Sequence, residues 1–299
     1  MTQQVPVDPR AVLEQAEADA SASGRIQPVA TDLGYLRLAI VNVILVGPQG
    51  ANDRQWVLVD AGLTATAKLI KRAARERFGE GSRPAAIVMT HGHFDHVGAL
   101  ETLAEDWDVP VYCHALERPY MDGSASYPPA DPGVGGGLMA LLSPLYPTRP
   151  VNVGARLHTL PDDGGVPLMP GWRWIHTPGH APGHVSFWRA ADGALIAGDA
   201  FVTVAQESAY AVAVQEPELH GPPKYLTIDW RAARASVETL AALDPAVAIT
   251  GHGRPLAGPA LQNGLKTLAR DFETVAVPKR SHYAEAPATA EDGSAYRPS

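Results

Sequence analysis

Residues 90–96 constrain this chain more than any other stretch, because three histidines and one aspartate (His91, His93, Asp95 and His96) fall within six residues. They follow an apolar, β-branched run at residues 85–89, which predicts a buried strand, and precede residues 97–107, which predict a helix. Ligand-type side chains at this density, at a strand-to-helix turn, indicate a metal site rather than isolated surface or core histidines.

The spacing of these side chains predicts two ions rather than one. Alternate residues of an extended chain point the same way, so His91 and His93 can hold one ion. Asp95 and His96 lie where the chain turns into a helix, point elsewhere, and can hold a second ion. The remaining ligands must then come from other parts of the chain.

Composition narrows the class of protein. The 299 residues could form one large domain or two, and 45% hydrophobic residues suffice for a substantial core. A net charge of −8 without a basic cluster argues against a nucleic-acid partner. The single cysteine, Cys113, excludes an internal disulfide and a thiolate metal cluster, and fits a reducing compartment. The first residues lack a leader pattern and no stretch reaches membrane-spanning length, so we expect a cytoplasmic protein with no membrane partner.

Changes in composition predict four regions. Residues 1–30 are polar and Ala-rich and predict an N-terminal arm with one short helix, and residues 31–277 form the main domain. Within it, residues 119–150 are rich in Pro, Gly and Tyr, which favours a lid or wall over the site, although a mobile loop would have the same composition. Residues 278–299 predict an extended or partly disordered tail.

Strands and helices are predicted along both halves of the main domain. The expected strands cover 36–46, 56–60, 109–113, 172–176, 185–188, 194–197 and 247–250, and the expected helices cover 65–78, 230–243 and 259–276. Asp229 is the expected N-cap of the helix at 230–243. Three of the strands run into Asp60, Asp199 or His252, so polar side chains recur at strand ends.

These strand-end residues carry a family resemblance. Asp60, His91-x-His93-x-Asp95-His96, His180, Asp199 and His252, in this order, resemble the five motifs of the metallo-β-lactamase superfamily over roughly residues 36–276. The resemblance implies an α+β fold, the four-layer αββα sandwich of the metallo-β-lactamase type. Its two sheets pack face to face, its helices lie outside, and its site lies at the edge where strand ends meet.

The resemblance also implies a ligand set. His91, His93 and His180 would hold one metal ion, Asp95, His96 and His252 the other, and Asp199 would bridge both. Among three histidines in residues 176–184, His180 is chosen because family members place the ligand in a Thr-Pro-Gly-His turn. Asp60 and His184 would support the ligands from behind.

The donor set and the fold imply hydrolysis. Imidazoles and carboxylates without thiolate suit zinc, our first expectation, and also suit manganese, cobalt or iron. A metal-bridging hydroxide would form near neutral pH and attack an electrophilic carbonyl. Asp95, the expected catalytic residue, would carry the proton to the leaving group.

Asp199, with no cysteine nearby, resembles the glyoxalase II-like thioesterases and the acyl-homoserine-lactone lactonases more than true β-lactamases. Such lactonases commonly carry a tyrosine three residues after the bridging aspartate, where this chain has Val202. We therefore assign substrate contacts to Phe201, Tyr210 and Tyr225.

The expected function is hydrolysis of a small-molecule ester, lactone or thioester. The alternatives are a mononuclear iron persulfide dioxygenase on the same fold and a β-lactam or phosphotriester hydrolase. The sequence leaves the oligomeric state open, and a homodimer is one option.

Overall fold

The computed structural model describes residues 24–134, 143, 147, 149–204 and 218–298. The helix expected in the N-terminal arm lies outside these residues. The described strands are β1 (Gln27–Ala30), β2 (Leu33–Leu38), β3 (Val41–Val46), β4 (Val57–Val59), β5 (Ala86–Val88), β6 (Val111–Cys113), β7 (Ala125–Ser126), β8 (Leu157–Thr159), β9 (Arg173–His176), β10 (Val185–Arg189), β11 (Ala194–Gly198), β12 (Val247–Thr250), β13 (Leu256–Ala257) and β14 (Arg297–Pro298). The described α-helices are α1 (Ala67–Phe78), α2 (Phe94–Val97), α3 (Leu100–Trp107), α4 (Arg118–Met121), α5 (Trp230–Ala242), α6 (Gly258–Arg270), α7 (Phe272–Val275) and α8 (His282–Glu285).

Two sheets form the centre of the fold. The first has the order β1-β2-β3-β4-β5-β6-β8, and the second has the order β13-β12-β11-β10-β9. Strands β4, β5, β6 and β8 pair in parallel, as do β11 and β12, while the other neighbours in the two sheets pair antiparallel. A separate short ribbon joins β7 to β14.

Each sheet has apolar side chains on both faces, because successive side chains of a strand point to opposite faces. Val88 of β5 and Ile196 of β11 lie in one core between the two sheets. Ile87 faces the other way and packs with α1 and α3. Leu195 packs with α5 and α6 on the far face of the second sheet. The order helix, sheet, sheet, helix confirms the predicted αββα sandwich.

One hairpin was not predicted. The sequence favours a single strand over residues 36–46, whereas the structure divides this region into β2 and β3, which pair antiparallel. The turn falls at Ala39, which has φ 58°, and Ile40. Two-residue hairpin turns need positive φ and usually contain Gly or Asn, so this Ala-Ile pair has no turn signature in the sequence.

The helix expected at residues 230–243 is present as α5, and its predicted N-cap is confirmed. The Asp229 carboxylate accepts hydrogen bonds from the backbone N–H groups of Arg231 and Ala232. The helix expected at residues 97–107 is present as α3, which begins at Leu100, and the additional short helix α2 begins within the metal-binding stretch.

The C-terminal segment differs from the extended tail that its composition suggests. Tyr283, Ala288 and Ala295 are buried in the same core as α5 and α6. The last strand, β14, pairs with β7. A few apolar side chains among many polar ones are enough to hold the segment against the domain.

Within the described part of the chain, no helix is long and apolar enough to cross a membrane.

Candidate metal centre

The candidate site lies at one edge of the sandwich, where strand ends converge. Asp60 follows β4, the stretch from His91 follows β5, Asp199 follows β11, and His252 lies just after β12. His180 lies in the loop between β9 and β10. The topology thus collects at one edge residues that are far apart in the sequence, and all seven predicted ligands lie within this cluster.

His91, His93 and His180 form the first group of candidate ligands. Their nitrogen atoms lie within 4.8 Å of one another, and His93 Nδ1 is 2.9 Å from His180 Nε2. Burial, the largest cause, lowers the pKa of His91 and His180 well below the ordinary value and lowers that of His93 to about 3. These imidazoles are therefore neutral at neutral pH, which is the form that binds a metal ion.

Asp95, His96 and His252 form the second group. His252 Nε2 is 3.4 Å from Asp95 Oδ2, and His96 Nδ1 is 2.8 Å from Asp60 Oδ2. Burial alone would lower the pKa of His96, but the Asp199 and Asp60 carboxylates outweigh it and raise that pKa well above 6.5. This half of the cluster favours positive charge, which a divalent cation can supply.

Asp199 lies between the two groups. Its Oδ2 is 3.0 Å from His252 Nε2 and 3.4 Å from His180 Nε2, and its Oδ1 is 3.6 Å from His96 Nε2. Burial opposes the charged carboxylate, yet His252 and His96 hold the pKa of Asp199 well below its usual range. An ionised carboxylate therefore faces ligands of both groups.

The donor atoms of this cluster fit metal ions. Four buried atoms of the cluster have no hydrogen-bond partner among the described residues: His91 Nε2, Asp95 Oδ1, His96 Nε2 and Asp199 Oδ1. Buried polar atoms are normally paired, and each unpaired one costs about 1–3 kcal/mol. Coordination would satisfy these atoms together, and this nitrogen and oxygen set without thiolate suits zinc, manganese, cobalt or iron.

Close approach at Gly251 explains why that position carries no side chain. A Cβ atom there would lie 2.0 Å from Asp199 Oδ1 and 2.8 Å from His96 Cε1. Both distances are below van der Waals contact, so any larger residue would displace the Asp199 carboxylate.

Asp60 and His184 lie immediately behind the candidate ligands. Asp60 Oδ1 accepts a hydrogen bond from the Thr90 backbone N–H, and its Oδ2 accepts one from the Thr90 hydroxyl and faces His96 Nδ1. His184 Nε2 accepts a hydrogen bond of 2.9 Å from the Asp199 backbone N–H. Such contacts orient ligands and fix the imidazole tautomer.

The sequence did not point to Glu117, which is fully buried beside the site. Its carboxylate accepts hydrogen bonds from the backbone N–H groups of Gly92 and Gly183, at 2.9 and 2.8 Å, and from the Tyr127 hydroxyl. Burial raises the pKa of Glu117 to about 7, although these hydrogen bonds oppose the shift. The Tyr127 ring in turn lies against His93, with 4.2 Å between ring centroids.

Two of the three predicted substrate contacts are not at the cavity surface. Phe201 is fully buried and packs in the core with α5 and α6, and a substrate contact by this residue stays a prediction. Beyond β11 the chain stays paired, with Val202 opposite His220 and Thr203 opposite Gly253, and Phe201 is directed into that core.

Tyr225 is also buried, with Val134 and Leu226 packed against it, and it is not among the described residues that line the cavity. Its ring packs with Val134 and Leu226, and a substrate contact by Tyr225 stays a prediction. Tyr210 lies outside the described residues, so that prediction stays a prediction.

A cavity of about 360 Å³ opens next to His93. Several described residues of the predicted wall region contribute to it, as do residues at the C-terminal end of the chain. The described lining consists of Gly92, His93, Phe94, Tyr120, Ala125, Ser126, Tyr127, Pro128, Pro129, Ala130, Ser143, Pro147, Arg149, Pro150, Leu226, Arg297 and Pro298.

The sequence is similar to a known protein family and to a bacterial relative. The sequence profile of the family described as "Metallo-beta-lactamase superfamily" matches residues 36–252. The "Probable metallo-hydrolase YflN" of Bacillus subtilis (strain 168) is 45% identical over 240 residues, which cover 80% of this chain and 90% of that protein.

Two solved structures are similar in fold. A beta-lactamase domain protein from Burkholderia ambifaria has a TM-score of 0.57 at 20% identity, covering 84% of this chain and 77% of that one. The metallo-beta-lactamase family protein TTHA1429 from Thermus thermophilus has a TM-score of 0.56 at 22% identity, covering 82% of this chain and 81% of that one.

Proposed function

The chain belongs to the metallo-β-lactamase superfamily, and from that premise we propose that it is a dinuclear metal-dependent hydrolase of small-molecule esters, lactones or thioesters. The observation that carries the proposal is the position of Asp199. Its two carboxylate oxygens face histidines of both ligand groups, at 3.0 to 3.6 Å. A carboxylate in that position suits a pair of ions better than a single one.

Divalent ions held by these residues would polarise a substrate oxygen and would lower the pKa of a bound water from about 15.7 toward 7. Zinc is the metal we propose first, because the donors are imidazoles and carboxylates. The protein contributes neutral histidines, held neutral by burial, and carboxylates that balance the charge of the ions.

Asp95 is the residue we assign to proton transfer. It is almost fully buried, one of its oxygens has no hydrogen-bond partner among the described residues, and the other lies 3.4 Å from His252 Nε2. Hydrolysis adds water oxygen to the acyl carbon and breaks its bond to the leaving oxygen or sulfur. In this assignment Asp95 accepts a proton from the water and delivers it to the departing alcohol or thiol.

The size and lining of the cavity support a small substrate. Its volume of about 360 Å³ lies at the lower end of the roughly 300–1,000 Å³ found for small-molecule sites. A net charge of −8 remains unfavourable for a nucleic-acid substrate.

The test combines metal analysis with a substrate panel. The protein is stripped with a chelator, reloaded with zinc, and assayed on an aryl ester, a lactone, a thioester, a phosphotriester and a β-lactam. We expect two metal equivalents per chain and turnover of the ester-type substrates that chelation abolishes and zinc restores.

Two outcomes would overturn the proposal. One iron per chain with oxygen uptake on a persulfide would assign the dioxygenase reaction instead. Turnover confined to the phosphotriester or the β-lactam would exclude the ester-type assignment.

A further inference from the structure

The C-terminal strand forms part of the wall of the cavity beside His93. β14 pairs antiparallel with β7, with Arg297 opposite Ser126 and Pro298 opposite Ala125. Both Arg297 and Pro298 line the cavity. The last described residues of the chain are therefore placed where a substrate of the hydrolytic site would lie.

Side-chain hydrogen bonds fix this segment in place. The Tyr120 hydroxyl donates to the Ala295 carbonyl oxygen at 2.8 Å, and the Tyr296 hydroxyl donates to the Leu116 carbonyl oxygen at 3.1 Å. Ala295 is fully buried. Because Tyr120 itself lines the cavity, the strand and the cavity wall form one packed unit.

The described lining of the cavity carries two arginines in a chain of net charge −8. Arg149 and Arg297 both line it, and its described lining contains no aspartate or glutamate. Within the described part of the chain, neither arginine has an ion-pair or side-chain hydrogen-bond partner, whereas other arginines, such as Arg83 with Asp53, do. Both residues are exposed to solvent, and they also line the neighbouring pockets, Arg149 one and Arg297 another.

The rest of the described lining is largely apolar. Tyr120, Tyr127, Phe94 and Leu226 contribute aromatic and aliphatic surface, together with several prolines. Tyrosine offers a large, rigid contact surface at low entropic cost, and proline restricts the backbone. The cavity therefore combines an apolar surface near His93 with two arginines that have no ion-pair partner among the described residues.

We propose that the substrate carries an anionic group, a carboxylate or a phosphate, which Arg297 and Arg149 bind while its apolar body lies against the cavity wall and its ester-type bond lies at His93. This inference rests on the proposed function and adds the substrate class to it. Arginine suits the task because its planar fork of donors pairs with carboxylate and phosphate oxygens.

The experiment compares three 4-nitrophenyl esters that share a six-carbon acyl chain. One chain ends in a carboxylate, one in a phosphate, and one in a methyl ester, which is neutral. We expect the better of the two anionic esters to have a kcat/KM about tenfold above that of the neutral ester, mainly through a lower KM. The comparison of carboxylate with phosphate identifies which anion the site prefers.

Variants assign this preference to the two arginines. Arg297→Gln and Arg149→Gln should each remove most of the preference, because each should lower kcat/KM for the anionic esters several-fold more than for the neutral ester. Arg270→Gln is the matched control, because Arg270 is an exposed arginine outside the described lining and paired with Asp271. Raising the ionic strength should raise KM for the anionic esters alone, since exposed charges are screened.

A binding measurement separates this inference from the hydrolase assignment. Isothermal titration of 6-anilino-6-oxohexanoate, a carboxylate amide that resists hydrolysis, measures recognition without turnover. We expect binding to metal-loaded protein that weakens about tenfold in Arg297→Gln.

Equal kcat/KM for all three esters, unchanged in both arginine variants, would overturn the proposed substrate class and leave the hydrolase assignment in place. Absence of any ester turnover together with Arg297-dependent binding of the amide would overturn the proposed function and retain the anion site. Binding that is unaffected by either arginine variant would overturn the inference.

Discussion

Glu117 and Gly183 lie 66 residues apart in sequence, yet Glu117 Oε1 accepts a hydrogen bond of 2.8 Å from the Gly183 backbone N–H. The other carboxylate oxygen accepts from the Gly92 backbone N–H at 2.9 Å. Gly92 lies between His91 and His93, and Gly183 lies close to His180. One buried carboxylate thus joins the two loops that carry the first group of candidate ligands.

The first prediction concerns metal affinity. Glu117→Gln replaces one acceptor oxygen with an amide NH₂ that faces a backbone N–H, so the two loops should separate slightly. We expect zinc affinity to fall about tenfold, within the range found for losing an outer partner of a metal ligand. Competition with a chromophoric chelator measures this affinity directly.

Glu105→Gln is the matched control for that experiment, because Glu105 is an exposed glutamate on α3. Glu117→Asp, which keeps the charge, should retain more affinity than Glu117→Gln. If Glu117→Gln lowered the melting temperature but left zinc affinity unchanged, Glu117 would be a structural brace without influence on the ligands.

The second prediction concerns the ligands themselves. His93→Ala and Asp199→Ala each remove a donor from the cluster, so turnover should fall by more than the roughly 10- to 100-fold that losing an outer partner costs. Asp199→Ala should also reduce the metal content from two equivalents to one. His158→Ala, at an exposed histidine on β8, serves as the control. Near-normal rates in either ligand variant would contradict the site assignment.

The motifs could be predicted from the sequence because each ligand is a chemically distinctive residue at a strand end. His180 and His252, for example, can be recognised as ligands only from their order in the sequence after the stretch at His91. Glu117 could not be found in this way, because its partners are mainly backbone N–H groups, and a backbone N–H has no sequence signature.

The positions of Phe201 and Arg297 were also not predictable from the sequence, for a similar physical reason. The direction of Phe201 depends on how the chain continues beyond β11, and neighbouring residues do not encode that direction. The composition of residues 278–299 places Arg297 in a polar tail. The structure instead places it beside the cavity, through hydrogen bonds of Ala295 and Tyr296 that have no signature in the sequence.

The third prediction concerns Gly251. A methyl group there would lie 2.0 Å from Asp199 Oδ1, so Gly251→Ala must displace that carboxylate. Because a misplacement of about 1 Å can cost about 100-fold in rate, we expect a loss of that order in kcat. Gly133→Ala is the control, since a methyl group there meets its nearest atom, Asp131 Oδ1, at 3.4 Å. Equal rates in the two variants would show that the crowding is relieved by backbone movement.

The fourth prediction concerns Cys113, which is fully buried at the end of β6. Burial raises the pKa of its thiol far above the ordinary value, so little of the reactive thiolate forms at neutral pH. We expect Ellman's reagent to leave the native protein unmodified over hours and to modify one thiol per chain in denaturant. Rapid modification of the native protein would contradict the packed position of Cys113.

The fifth prediction concerns acid stability through His114. Burial, with a contribution from His176, lowers the pKa of His114 to about 4. The two rings stack with 4.3 Å between centroids. As the pH falls from 6.5 toward 4, His114 takes up a proton in the unfolded chain but not in the folded chain. The free energy of unfolding therefore decreases over this window, by about 1–2 kcal/mol after allowance for its partial exposure.

His114→Asn tests this contribution. His114 Nδ1 accepts a hydrogen bond from the Leu116 backbone N–H at 3.3 Å, and an asparagine oxygen can accept in its place without titrating. Urea unfolding at pH 7 and pH 5 should show a smaller loss of stability in the variant than in the wild type, although the ligand histidines make both acid-sensitive. His158→Asn, at an exposed histidine, should lose as much stability as the wild type. Identical losses in His114→Asn and the wild type would mean that His114 is protonated within the folded protein at pH 5.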